Sequence, residues 1–348
     1  MKIAVYAIAL NEEQFVERWY ESAKDADYLL IADTGSTDKT VKLAKSLGIN
    51  VPTISIKPWR FDDARNASLA YIPDNIDYCI ALDLDEILLP GWRAELEKSF
   101  EAKATRPRYK YTWSWNPDGT PGLQYGGDKI HSRHGYRWKH PVHEVMLCDR
   151  IEQVEHWNGL EIHHHPDSTK SRSEYLPLLA VSVQEDPHND RNAFYYGREL
   201  YFYKKFEEAT VQLKRYLALP TACWNVERGG AMRLLAECEP ESKEVWLKQS
   251  LKESYRRESL VDLAQYYYEI SNWESCLEQA KAALAIEEKP LDYMCEAEAW
   301  GGKPYDLAAI SAYHLGKLDL AFEYGEKALA LSPNDERLKN NLDYYREA

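Results

Sequence analysis

Three carboxylates, Asp83, Asp85 and Glu86, follow directly on an apolar run in "YCIALDLDE" (residues 78–86). A short apolar run bounded by polar residues reads as a buried strand, so the acids stand at its mouth. Two aspartates one residue apart suit a divalent ion, because Mg²⁺ or Mn²⁺ takes one or two carboxylates and completes its shell with water and phosphate oxygens. Such a pair can hold a diphosphate through the metal. Alone, Asp-x-Asp is a common tripeptide, and an aspartate after a strand also serves to cap a helix. What gives the pair weight is its company. Polar residues close the earlier apolar runs as well: Leu10-Asn11-Glu12, Asp33-Thr34-Gly35, and Trp59-Arg60-Phe61 leading to Arg65 and Asn66. Ligands of an open parallel sheet bind outside the carboxyl ends of its strands, so all four groups are expected on one edge.

Two later stretches offer a base and a third ligand. In "HPVHEVM", His143 and Glu144 are each able to take a proton from an attacking hydroxyl. Strand alternation aims only one of them at a cleft unless the backbone bends there. Arg137 and Lys139 stand close enough in sequence to be ion-pair partners of Glu144. In "HHHPD" an imidazole could join the same cation; extended chain puts His163 and His165 on one face and His164 on the other, so spacing leaves the ligand open. The aromatic band Trp113, Trp115, Tyr125, Tyr136 and Trp138 is either core or a flat platform for sugar rings. Phosphate loops are missing, since "DTGSTDKT" has one glycine where a dinucleotide fingerprint needs three and "GLQYGGDK" lacks the Gly-Lys-Ser/Thr of a P-loop.

The elements that must position these groups alternate up to about residue 90. "KIAVYAIAL", "YLLIADT", "VPTISIKP" and "YCIALDLD" read as strands separated by helical segments, the pattern of a mostly parallel α/β sheet. After the second strand, Ser36 or Thr37 is placed to cap a helix bearing Val41, Ala44 and Leu47 on one face before Gly48. From residue 108 to 165, aromatics and turn residues suggest antiparallel strands laid over that sheet.

Beyond that point the chain reads as helical and repeats itself. Small residues recur in Gly197/Ala209/Tyr216, Ala264/Cys276/Ala283 and Ala309/Ala321/Ala328, with Pro220, Pro290 and Pro333 soon after. This resembles the tetratricopeptide pattern of paired antiparallel helices. Residues 223–259 are expected to hold a further helical pair that has lost the pattern. Two domains result: residues 1–167, α/β, and residues 168–348, all-α.

Composition bounds the function. The 348 residues carry a formal net charge of −14, which repels phosphate backbones, so nucleic acid is not the expected partner. No apolar run reaches the roughly 20 residues of a membrane span, and Met1-Lys2 leads straight into a strand-like segment, so the expected compartment is the cytoplasm. The six cysteines have no metal spacing and read as reduced thiols.

"IAVYAIALNEE", "IADTGSTDKT", "FDDARNASL" and "YCIALDLDE", in this order and spacing, resemble the family 2 glycosyltransferases of GT-A fold. The likeness is close over about the first 90 residues, and "GYRW", "PVHE", the late histidines and the helical tail extend it over nearly the whole chain. It implies an α/β GT-A domain followed by a tetratricopeptide-like domain, and transfer of a sugar from a nucleoside diphosphate sugar, a UDP-sugar by expectation, with Mn²⁺ or Mg²⁺. Asp33 would bind the base or ribose beside the Leu10-Asn11 backbone, Arg65 the base or diphosphate, and Asp83 and Leu84 the ribose region. Asp85 would bind the metal, with Asp83 through a bound water. His164 is the favoured late ligand from "H-x-P-D", with His163 second. Glu144 is the favoured base, because inverting members use a carboxylate, with His143 its alternative. The acceptor would be a glycan, a protein or another hydroxyl compound. The helical domain would bind the acceptor, a protein partner or a second copy in a homodimer.

Overall fold

A computed structural model describes residues 1–116, 118–155, 159–167 and 175–347. The chain divides into two compact units, Met1–Ser182 and Val183–Ala348. The division falls inside a helix at Tyr175–Glu185 and not after Asp167, because Tyr175 at its start packs against Phe61 and His143 of the first unit. Ser168, where the sequence reading begins the second domain, lies outside the described residues.

In the first unit, strands β1 (Ile3–Ala9), β2 (Tyr28–Asp33) and β3 (Tyr78–Ala81) are parallel, in the order β2-β1-β3, with helices α1 (Val16–Ala23), α2 (Thr40–Ser46) and α3 (Phe61–Ala70) in the connections. Side chains on a strand alternate in direction, and here both faces are apolar, as a sheet covered on both sides requires. Ile3, Val5, Ala7 and Ile80 enter one core with Trp19 of α1. Ala4, Tyr6, Leu30 and Cys79 enter another with Ala64 and Leu69 of α3. The segment "VPTISIKP", with Asn50 just before it, borders β2 at Asn50 and Thr53 but forms no regular strand, since Pro52 has no N–H to donate to a ladder. Helix α2 begins at Thr40, later than expected, because the Ser36 hydroxyl and the Thr37 N–H are engaged by Asn11.

The rest of the unit is a covering of short strands, as expected, but their pairing is mixed parallel and antiparallel and not antiparallel throughout. The remaining elements in chain order are β4 (Glu86–Leu88), α4 (Trp92–Glu101), β5 (Arg106–Pro107), β6 (Tyr109–Thr112), β7 (Gln124–Gly127), β8 (Ile130–Ser132), β9 (Tyr136–Lys139), β10 (Val145–Cys148), β11 (Val154–Glu155) and β12 (Glu161–His164), followed by α5, the helix at Tyr175–Glu185. β8 adds antiparallel to β3, β9 pairs with β10, and β11 pairs with β5. A second sheet runs β4-β12-β6-β7. Its register sets His164 opposite Glu86.

The second unit is helical: α6 (Asp190–Phe202), α7 (Phe206–Ala218), α8 (Asn225–Cys238), α9 (Lys243–Glu253), α10 (Arg257–Glu269), α11 (Trp273–Leu284), α12 (Ala297–Trp300), α13 (Lys303–His314), α14 (Leu318–Leu331) and α15 (Glu336–Glu347). Each small-residue triad lies across one helical pair, Gly197 on α6 with Ala209 and Tyr216 on α7, and likewise on α10/α11 and α13/α14. A Cβ on Gly197 would lie 2.8 Å from Leu213, so the close approach of α6 and α7 needs the missing side chain. The αL residue of each turn also falls at one offset, Lys204 (φ 59°), Ser271 (φ 58°) and Gly316 (φ 69°). The pair α8/α9 fills the stretch where the pattern was lost. No helix among the described residues is long and apolar enough to cross a membrane.

Candidate functional site

At the carboxyl edge of β1, β2 and β3, two loops are tied together. Asn11, in the left-handed region (φ 54°), donates its backbone N–H to Ser36 Oγ at 2.9 Å, and its side-chain oxygen accepts from Thr37 N–H at 2.8 Å. Asp33 is buried, and its carboxylate accepts from the N–H groups of Gly35 (3.2 Å) and Ser36 (3.0 Å). It is therefore a turn residue at the strand end, whatever else it contacts. Leu10 is 52% exposed beside it and presents an apolar face at the edge. The Leu84 side chain points the other way, into the core.

The turn between β3 and β4 carries the acids, and they divide between two environments. Asp83 is held by two cations: Arg65 Nη1 lies 2.8 Å from Oδ1 and Lys129 Nζ 2.7 Å from Oδ2. Burial opposes its ionisation, but the charges of Arg65 and Lys129 outweigh this and hold its carboxyl far below the usual range. Glu86, expected among the acids at the mouth, is 1% exposed; it accepts from Asp83 N–H (2.9 Å), Lys129 (3.1 Å) and the Tyr111 hydroxyl. Burial, with the neighbouring charge of Asp83, pushes the Glu86 carboxyl up. Glu86 thus closes the turn from inside. Burial would lower Lys129, yet Asp83 and Glu86 raise it well above an ordinary lysine.

Asp85 faces the other way, toward β12. Its Oδ2 lies 3.3 Å from His164 Nε2, and its carbonyl accepts from His165 N–H at 2.8 Å. His164 is buried, its ring is stacked on Trp113 at 4.3 Å, and its Nδ1 lies 3.0 Å from the Trp113 carbonyl. A ring N–H donated to a carbonyl fixes the orientation of the other nitrogen, so Nε2 is the atom offered to Asp85. Burial disfavours the imidazolium, but the hydrogen bond and charge of Asp85 prevail and raise His164 above an ordinary histidine.

These two groups pass a test for a divalent ion. Ligands at about 2.1 Å on adjacent octahedral positions stand about 3 Å apart, close to the 3.3 Å between Asp85 Oδ2 and His164 Nε2. No cluster of three or more His, Cys, Asp or Glu suited to a metal occurs among the described residues. The fit is thus to an ion that takes two protein ligands and completes its shell from substrate phosphate and water. The remaining expected ligands lie elsewhere. Asp83 is occupied by Arg65 and Lys129, and His163 turns its Nε2 to Glu161 Oε1 at 2.9 Å, as alternation along β12 requires.

Glu144 stands just before β10, with its side chain 11% exposed, and Arg65 Nε donates to it. Its cation is thus Arg65, which is distant in sequence. Arg65 is delivered by α3, whose Asn66 clasps the backbone of Trp138 through two hydrogen bonds, 2.9 and 2.8 Å. Burial alone would lower Arg65; Asp83 and Glu144 instead raise it further. His143 is left-handed (φ 49°), so the backbone does bend between the two base candidates, and its ring packs on Tyr175. The aromatic band divides. Tyr136 and Trp138 are core, while Trp113 and Trp115 back His164 and His165.

Sequence reasoning missed Lys129 and Tyr111. A single lysine ahead of β8 carries no motif, and its acids lie 46 and 43 residues away.

Residues 5–142 match the family model Glycosyl transferase family 2. An uncharacterized glycosyltransferase of Rickettsia bellii is 36% identical over 109 residues, 31% of this chain and 35% of that one. The chain thus spans about a third of that relative's length. A TPR repeat-containing protein of Synechococcus elongatus is 24% identical over 350 residues, 95% of this chain and 76% of its own. Solved structures similar to the helical half include a thermophilic TPR protein of Thermus thermophilus (17% identity, 51% of this chain, 91% of that chain, TM-score 0.35). A type IV pilus biogenesis factor, PilW, is another (18% identity, 49% of this chain, 74% of that chain, TM-score 0.40).

Proposed function

We propose, from the premise that residues 5–142 are a family 2 glycosyl transferase domain, that this chain moves a sugar from a nucleoside diphosphate sugar to a hydroxyl acceptor. The observation that carries the reading is the Asp85–His164 pair, 3.3 Å apart at the carboxyl edge of a parallel sheet, with the imidazole held by a backbone carbonyl. The donor is a UDP-sugar in this reading, its base and ribose taken by Asp33, Leu10 and the Asn11 backbone.

Asp85 and His164 would hold Mn²⁺ or Mg²⁺. When bound, such an ion supplies positive charge against the diphosphate that departs. Glu144 accepts the proton of the acceptor hydroxyl, whose oxygen attacks the anomeric carbon; the bond from that carbon to the phosphate oxygen breaks with its electron pair going to the diphosphate. Configuration inverts in that single displacement. Arg65 donates to Glu144 and fixes the position of its carboxylate. The helical domain binds the acceptor, a protein partner or a second copy.

The test is incubation with a panel of nucleotide sugars and Mn²⁺, followed by release of nucleoside diphosphate. Turnover is expected with one donor, and Asp85→Asn is expected to remove it. Turnover insensitive both to Asp85→Asn and to EDTA refutes the reading.

A further inference from the structure

Residues 285–296, between α11 and α12, contain neither helix nor strand. Loops of about 12 residues without structure of their own are uncommon in compact domains and are usually functional. The latter part of this loop docks on the first helices of successive pairs. The Tyr293 ring stacks on Tyr195 of α6 (6.1 Å, 24°) and meets Trp224 ahead of α8 (5.3 Å), and its hydroxyl donates to the buried Glu227 of α8. On either side, Asp292 accepts two hydrogen bonds from Arg256, just before α10 (2.7 and 3.2 Å), and Glu296 accepts two from Arg233 of α8 (2.8 and 2.8 Å). An aromatic anchor in a pocket, flanked by bidentate arginine–carboxylate pairs, is the anatomy of a recognition interface.

Met294 supplies the independent sign. A Cβ built on Gly230 would lie 2.0 Å from Met294 Cε, so the methionine occupies the space where α8 lacks a side chain. Glycine inside a helix is destabilising relative to alanine, and α8 has two in succession, Gly229 and Gly230. The helix gives up stability at the point where the loop inserts.

We infer that residues 292–296 are a built-in occupant of a peptide-recognition face on α6, α8 and α10, and keep that face closed to protein segments of the same acid–aromatic–thioether chemistry. A tethered occupant acts at an effective concentration of about 1 mM, so a free segment at about 1 μM is excluded roughly a thousandfold. A partner must therefore displace the loop or find it already released.

The probe is a fluorescein-labelled peptide of residues 289–298, titrated by anisotropy against the full chain. The triple variant Asp292→Ala, Tyr293→Ala, Met294→Ala is expected to bind it at least roughly tenfold tighter than the unaltered chain, as removal of an internal competitor requires. Adding Gly230→Leu to that variant is expected to return binding to the unaltered level. Circular dichroism checks that the helices persist. Should the triple variant lose its helices, Tyr293→Ala alone is put through the same titration. Equal binding by opened and unaltered chains of intact helicity, or indifference to Gly230→Leu, overturns the inference.

Discussion

Replacing Arg65 by methionine removes a cation whose side chain is 6% exposed and which serves two carboxylates, Asp83 (28% exposed) and Glu144 (11% exposed). Stripping one partner from a buried ion pair costs about 3–5 kcal/mol. Asp83 retains Lys129 at 2.7 Å and partial access to water, so most of the loss falls on Glu144. The net destabilisation of the first unit is expected at about 2–3 kcal/mol, and the urea midpoint to fall by about 1 M. Pulsed hydrogen exchange across a urea series, read on peptides from Met1–Ser182, separates this unit from the helical one. Glu144→Gln added to Arg65→Met should cost much less than Glu144→Gln alone, because its cation is already gone. A loss under about 0.5 kcal/mol for Arg65→Met, or strict additivity of the two changes, refutes the account of Arg65 as the shared cation.

Two further outcomes follow from other parts of the chain. His131 is fully buried, its Nε2 3.1 Å from the Tyr6 hydroxyl, and burial lowers it from 6.5 to about 4. Between those values the unfolded chain binds the additional proton, so stability is complete above pH 6.5 and falls as pH drops toward 4. The loss attributable to this group is about 3 kcal/mol, and His131→Gln should flatten the acid limb by that amount in urea titrations of the first unit. An unchanged acid limb contradicts the assignment. In the helical unit, Ser271→Gly relieves a left-handed side chain (φ 58°) at the cost of a more flexible unfolded chain, for a net gain of about 0.5 kcal/mol. Denaturation showing a loss instead would mean the serine side chain contributes more than its backbone strain costs.

The features legible in the sequence are those whose signal is local. Continuous apolar runs marked β1 and β2, and the triads marked three helical pairs because each pair must bring its backbones close at the same positions. Asp85 and His164 were reachable through a family pattern. What escaped depended on partners far along the chain. Lys129 meets Asp83 only once β8 has paired with β3, and the Trp113 carbonyl that orients His164 has no side-chain signature at all. The failed strand at residues 51–58 shows the opposite error, an apolar pattern overruled by one missing N–H at Pro52.

The β4–β12 register has a practical consequence for anyone who dissects the chain. The family match ends at residue 142, yet Glu144 and all of β12 lie beyond it. A fragment trimmed to that limit would keep Asp85 on its turn and discard the histidine beside it, while baring the flanks of β4 and β6 that β12 now joins. The proposed site therefore extends past the matched residues, and its far wall is the last strand among the described residues.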